Sequence, residues 1–165
     1  MTTRTVCRLP DPVLKRRALE VEAGDAAALL QDLVDTMRAS PACVGLAAPQ
    51  IGVSRRAIVV DVTDHPKTTT CHGLIVMVNP VILEAEGRAR GREGCMSVPD
   101  LTADVTRATA VVVGGTAADG SEIIVTTDGF EARALQHEID HVDGMLILDR
   151  VASLGSDVFR RTVYK

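Results

Sequence analysis

Phe130-Glu131-Ala132-Arg133-Ala134-Leu135-Gln136-His137-Glu138-Ile139-Asp140-His141-Val142 is the stretch on which the fold of this chain turns. Its apolar residues recur at helical spacing, and Asp143-Gly144 supplies a stop, so it is predicted to be a helix from about Phe130 to Val142. Phe130, Ala134, His137 and His141 share one side and line a cavity. Leu135, Ile139 and Val142 share a neighbouring side and anchor the helix in the core. Within the stretch, His137 to His141 is an H-E-x-x-H pattern. Residues four apart on a helix lie nearly one above the other, so both imidazoles can reach one metal ion. Glu138 then sits where it can exchange a proton with a water on that ion, which points to hydrolysis of a carbonyl derivative. The competing reading is an exposed helix that carries two His and two acids by accident.

Outward from this helix the chain reads as strands, with a second helix near its start. Asp25 stands as an N-cap ahead of Ala26, Leu29, Leu30, Leu33, Val34 and Met37, an amphipathic repeat that stops near Ser40-Pro41. A short segment opens at Asp11-Pro12 and ends near Ala18. Ala57 to Val62 and Leu74 to Val78 are β-branched strands, and Asn79-Pro80 punctuates the second, with Val81 to Ala85 continuing past the break. Thr109 to Val113 and Glu122 to Thr126 form a hairpin around Asp119-Gly120. Met145 to Leu148 reads as a last strand, and Thr63 to Gly73 as the most loop-like stretch. The expected fold is α+β: antiparallel or mixed sheets packed around the metal-binding helix, with the amphipathic helix at the N-terminal side.

Bulk properties narrow the class. At 165 residues the chain suits one domain, residues 1–165, with a real core. Hydrophobic content is 46% but aromatic content only 2%, so that core must be built from Val, Leu, Ile and Ala. A net charge of -4 with no basic run argues against nucleic acid as a partner. No apolar run approaches the roughly 20 residues that span a bilayer, and residues 1–11 lack a signal-peptide stretch. Cys7, Cys43, Cys71 and Cys95 are scattered without a Cys-x-x-Cys, as expected of a reducing cytoplasm.

A catalytic metal site needs three protein ligands and one open position. No His follows His141, and Asp143, Asp149 and Asp157 are poorly spaced. Upstream lies Glu93-Gly94-Cys95-Met96-Ser97, where a thiolate is a strong ligand for a divalent metal. A buried structural cysteine is the alternative. His65 and His72 fall in the loop-like stretch, a poor base for a rigid site. A third segment, Val44-Gly45-Leu46-Ala47-Ala48-Pro49-Gln50-Ile51-Gly52, is small and apolar with one polar side chain, Gln50. It is either a close-approach wall beside the metal or a plain tight turn.

Together these segments resemble the peptide deformylases. That family carries Gly-x-Gly-Leu-Ala-Ala-x-Gln, Glu-Gly-Cys-Leu-Ser and Gln-His-Glu-x-Asp-His in this order, and here they occur as Cys43 to Gln50, Glu93 to Ser97 and Gln136 to His141. Pro10-Asp11-Pro12, Asn79-Pro80 and Arg107 extend the likeness, which runs from about Leu9 to Arg150. The resemblance implies iron(II), replaceable by zinc or nickel, on Cys95, His137 and His141. It implies as substrate the N-formyl group of formylmethionyl peptides, attacked by a metal-bound hydroxide, with formate and a free amino terminus as products. Glu138 would be the general acid and base. Gln50 and the backbone N–H of Met96 would donate to the oxyanion, with Gly45 and Leu46 beside the reacting group. The peptide would add as a strand between Val44–Leu46 and Gly94. Its methionine side chain would meet Val44, Phe130, the alkyl stem of Arg133, Ala134 and His137. Glu93 and Arg107 would form an ion pair behind the cysteine loop.

The chain departs from that pattern in places that spare the chemistry. Cys43 replaces the first glycine, so a thiol enters the groove, and it would be strained if the backbone there needed positive φ. Met96 replaces Leu. Asp100 and Thr106 stand where Gly and Pro are frequent, and Thr102 where some members carry Arg. The tail after Arg150 is short where many members dock on the ribosome with a basic helix, although Arg160, Arg161 and Lys165 keep some charge. The alternatives are a hydrolase for a small-molecule formamide and a peptide- or metal-binding paralogue without turnover.

Overall fold

The computed structural model describes residues 1–22 and 24–162. In chain order the strands are β1 (Gly45–Ala47), β2 (Ala57–Val60), β3 (Ile75–Glu86), β4 (Ala89–Cys95), β5 (Val98–Arg107), β6 (Ala110–Thr116), β7 (Glu122–Asp128) and β8 (Val158–Arg160). The helices are α1 (Ala26–Ala39), α2 (Gly129–Val142) and the one-turn α3 (Ile147–Arg150). A five-stranded sheet runs in the order β1-β2-β3-β6-β7 and a three-stranded sheet in the order β4-β5-β8, and every pair of named strands is antiparallel. Helices and antiparallel sheets make this an α+β fold.

β2 shows how the layers form. It is apolar at every position, so both of its faces must be covered. Ala57 and Val59 pack with Leu30, Leu33 and Met37 of α1. Ile58 and Val60 pack with Leu135, Ile139 and Val142 of α2. The five-stranded sheet is thus sandwiched between two helices. The three-stranded sheet has its own core, where Cys95, Val98, Ala103 and Val105 meet Leu14, Leu146 and Ile147.

The end of α2 is held by several contacts. Gly144 sits at φ 78°, and a Cβ there would come within 2.8 Å of the Arg16 backbone. Arg56 donates to the Val142 carbonyl at 2.9 Å and to Asp143 at 2.8 Å, covering the negative end of the helix. These contacts fix where His141 lies along the helix axis.

Two expectations change, and a third gains its physical reason. Asp25 stands at the start of α1, but with helical backbone and no capping hydrogen bond. The break at Asn79-Pro80 is a register shift between Val78 and Val81 inside one strand, β3, which continues past it as expected, and the Asn79 side chain holds Val21 N and O at 2.9 and 3.1 Å. Asn79 manages this at φ 53°, a conformation Asn tolerates. Met145 to Leu148 is not a strand but leads into α3, where Asp149 accepts from Leu146 N at 2.8 Å. A four-residue apolar run has no period that separates the two states.

The β4–β5 hairpin has no counterpart among the strands expected from sequence. β4 is mostly exposed and polar, and carries no apolar alternation. Cross-strand ion pairs hold it instead: Arg92 lies opposite Asp104 at 2.6 Å, and Arg90 reaches Asp104 at 3.0 Å. In the tail, β8 pairs with β5, and Arg160 lies in that strand. Lys165 lies outside the described residues. Among those described, no helix is long and apolar enough to cross a membrane.

Candidate metal centre

Three buried or nearly buried side chains, two from a helix and one from a strand, meet at one point. His137 and His141 come from α2. Cys95 comes from the last position of β4, where the ladder register breaks after Gly94 and the chain turns through Met96-Ser97 into β5. Irregularities of this kind re-aim a side chain out of a strand's alternation. The ligand atoms of Cys95, His137 and His141 lie within 4.8 Å of one another, and Cys95 Sγ is 3.3 Å from His141 Nε2. Ligands about 2.0–2.3 Å from a tetrahedral ion sit roughly 3.3–3.8 Å apart, so the donors fit one metal. One thiolate and two imidazoles suit iron, zinc or nickel and not magnesium or calcium.

The electrostatics agree with that donor set. Burial pushes the Cys95 thiol up, but the charge of His141 and hydrogen bonds from both imidazoles outweigh it and hold Cys95 well below its ordinary value. Glu93 Oε1 lies 2.8 Å from His137 Nδ1, which orients the ring with Nε2 toward the cysteine side. Glu93 in turn takes two bonds from Arg107, at 2.8 and 2.9 Å, and one from Arg133 at 2.7 Å. Burial pushes Glu93 up, yet His137 and Arg107 hold it well below the usual carboxylate range. Arg107 continues to Asp140 at 2.7 Å, and Arg150 grips the same carboxylate at 2.7 and 3.0 Å. Asp140 and Arg150 were not singled out in the sequence. The signal available was position: Asp140 is three residues, about one helical turn, from His137.

Glu138 faces the cavity with burial raising its pKa, and its Oε2 has no hydrogen-bond partner. A buried carboxylate oxygen without a partner marks a place where something else binds. Gly45 lies against it: a Cβ at Gly45 would stand 2.6 Å from Glu138 Oε1. Gln50 is buried, accepts from Ala47 N at 3.0 Å, and aims its amide at Cys95 Sγ (3.7 Å) and Ser97 Oγ (3.2 Å). Ser97, fully buried, is a third residue that sequence reasoning passed over.

These groups open onto a cavity of about 240 Å³ whose lining includes Val44, Gly45, Gln50, Gly94, Met96, Phe130, Arg133, Ala134, His137 and Glu138. Leu46 is not among them: alternation along β1 turns its side chain into the core under α1. Arg133 presents its stem here while its guanidinium bonds Glu93, Val105 O and Ala89 O. His65 joins the wall by stacking on Phe130 at 4.2 Å, and His72 pairs with Glu131, so neither reaches the Cys95 cluster. Cys43 also lines the cavity. It is not among the residues at positive φ, so the strain expected of it is absent; Ala42, at φ 57°, carries the turn instead. Burial and the charge of Glu138 push the Cys43 thiol up to about 12.

Known proteins resemble this chain along nearly its whole length. Residues 3–157 match the family described as Polypeptide deformylase. The chain is 42% identical over 163 residues to the peptide deformylase of Syntrophobacter fumaroxidans, covering 98% of this chain and 94% of that protein. The peptide deformylase of Thermus thermophilus superposes with a TM-score of 0.82 at 37% identity, covering 91% of this chain and 86% of that one. The class I type b peptide deformylase of Acinetobacter baumannii, solved with Met-Ala-Ser bound, superposes with a TM-score of 0.82 at 32% identity, covering 91% and 99%. A family match over nearly the whole length, joined to relatives of this similarity, shows that the chain belongs to the polypeptide deformylase family, enzymes that remove formyl groups.

Proposed function

We propose that this deformylase acts on N-formylmethionyl peptides of newly made proteins, as one domain in the cytoplasm, with Cys95, His137 and His141 holding iron(II). The observation that carries the chemistry is Glu138: a buried carboxylate oxygen without a partner, beside three metal donors, at the wall of a cavity. A divalent ion in that donor set supplies a Lewis acid that makes water a nucleophile near neutral pH. Glu138 accepts the water proton and returns it to the departing amine. Burial raises its pKa. The Gln50 amide and the backbone N–H of Met96 donate to the oxyanion. Gln50 is already aimed by Ala47 and Ser97, so little reorganisation is left for the reaction.

The peptide has a place to lie. β1 and β4 are edge strands of their two sheets, and both border the cavity. An extended peptide can add its backbone there. Its methionine side chain enters between Val44, Phe130, the Arg133 stem, Ala134 and His137. The Acinetobacter relative was solved with Met-Ala-Ser bound, which supports a peptide of this kind as the ligand class.

The test is formate release from formyl-Met-Ala-Ser by anaerobically purified, iron-loaded protein. Turnover is expected to fall about 10²–10⁴-fold in Glu138→Ala, with metal still bound at one per chain. Equal turnover in wild type and Glu138→Ala would refute the role of Glu138. Because iron(II) reduces O₂ to species that oxidise the Cys95 thiolate and zinc does not, the iron form is expected to lose activity in air while the zinc form keeps it. An iron form stable in air would count against iron on this thiolate.

A further inference from the structure

The Cys43 thiol donates to the Gly45 carbonyl at 3.1 Å, inside the cavity. The direction of that carbonyl follows from the ladder. Val44 O accepts from Asp61 N at 2.8 Å, and Gly45 lies opposite Val60. In an antiparallel pair, successive residues turn their polar groups to opposite sides. Gly45 O therefore points away from β2. β1 is the edge strand, so nothing in its sheet lies on that side. The outward N–H two residues on, at Ala47, is already taken by Gln50. Gly45 O is then the acceptor that this edge offers to an incoming chain, next to Glu138 and its unpartnered Oε2.

We infer that Cys43 is a specificity-determining residue: its S–H occupies the edge-strand acceptor at Gly45 and must be displaced by an N–H of the substrate. The inference rests on the reading that a peptide adds along β1. A thiol is a weak donor, so an amide N–H replaces it at modest cost. A ligand lacking a well-placed N–H cannot, and leaves the carbonyl capped. Cys43 thus raises the threshold for binding without touching the reacting atoms. Burial keeps the group a thiol at neutral pH, so it remains a donor.

The test compares wild type, Cys43→Ala and Cys43→Ser as anaerobic iron-loaded proteins. Steady-state kinetics on formyl-Met-Ala-Ser are measured alongside calorimetric binding of Met-Ala-Ser. Removing the donor in Cys43→Ala should lower both KM and Kd about three- to tenfold with kcat within about twofold, the size of one modest hydrogen bond. Cys43→Ser restores a donor of smaller size and should return both constants to wild-type values or above. Unchanged or weaker binding in Cys43→Ala overturns the inference, and so does an equal gain in Cys43→Ala and Cys43→Ser, which would be an effect of size alone. Formate release absent from all three proteins would instead strike the formyl-peptide reading, and the calorimetric comparison would still decide Cys43. Absence of both turnover and binding in all three overturns both.

Discussion

At Gly45 one missing Cβ decides whether the Glu138 carboxylate has room. A methyl group there would stand 2.6 Å from Oε1 and 2.9 Å from Cγ of the buried Glu138, so that carboxylate would have to shift. Gly45→Ala should therefore keep the fold and lose roughly 100-fold in kcat/KM, because a shift of about 1 Å in a reacting group costs that much. Near-wild-type turnover would mean that Glu138 tolerates displacement. Glu93 makes a different kind of statement. Held below its ordinary value of 4.5 by His137 and Arg107, it is charged in the folded chain at pH values where the unfolded chain takes up a proton. Its stabilisation is complete above that ordinary value and is lost as pH falls below it. The urea midpoint of the wild type should fall steeply from about pH 5 downward, and Glu93→Gln should flatten that slope. Parallel slopes in the two proteins would show that Glu93 is not the group responsible.

At the scale of elements, α2 carries the site because both its C-terminal end and its back are fixed. Its apolar side is sealed by Leu135, Ile139 and Val142, and its polar side is tied by Asp140 to Arg107 of β5 and Arg150 of α3. Its last turn is held by Gly144 and Arg56. Gly144→Ala meets both a positive φ and the Arg16 backbone at 2.8 Å. It should destabilise by at least about 1–2 kcal/mol, seen in denaturant unfolding. A loss under ~0.5 kcal/mol would show that the Arg16 segment moves aside freely. The β4–β5 hairpin works by other means. It brings Cys95 to the site on a strand whose outer residues are held by ion pairs and whose inner residues are Glu93 and Cys95 themselves.

For the whole molecule, the three side chains that could hold a metal join separate parts. His137 and His141 ride on the helix packed against the five-stranded sheet, while Cys95 belongs to the three-stranded sheet and its own core. An ion bound to all three ties the two together and binds only the folded chain. At about 100 times its Kd such an ion contributes roughly 2.7 kcal/mol. Chelation should then lower Tm by roughly 5–10 °C for a domain of this size, reversed by adding metal back. A Tm indifferent to chelator would mean that the three donors do not hold an ion in common.

Local pattern in the sequence determined α1, α2, the β6–β7 hairpin and the α+β class, since each rests on a period or a turn signal that a single segment carries. The H-E-x-x-H spacing likewise put two donors on one side of α2, because the helix repeat is local geometry. What only the tertiary structure decided lies between segments far apart in the chain. The β4–β5 hairpin has no apolar alternation, and its pairing is visible only once Arg92 faces Asp104 across the ladder. Asn79-Pro80 reads as a break inside a strand, and it is one, but that Val21 binds the Asn79 side chain is visible only in the fold. Leu46 sits in the right motif yet faces away, because alternation in β1 is referred to a sheet whose two faces have different occupants. The meeting of Cys95 with His141, 46 residues apart, and of the Cys43 thiol with an outward-facing carbonyl depends on how two sheets close over one helix. Spacing along the chain states which groups are available, whereas distances between them are set by packing.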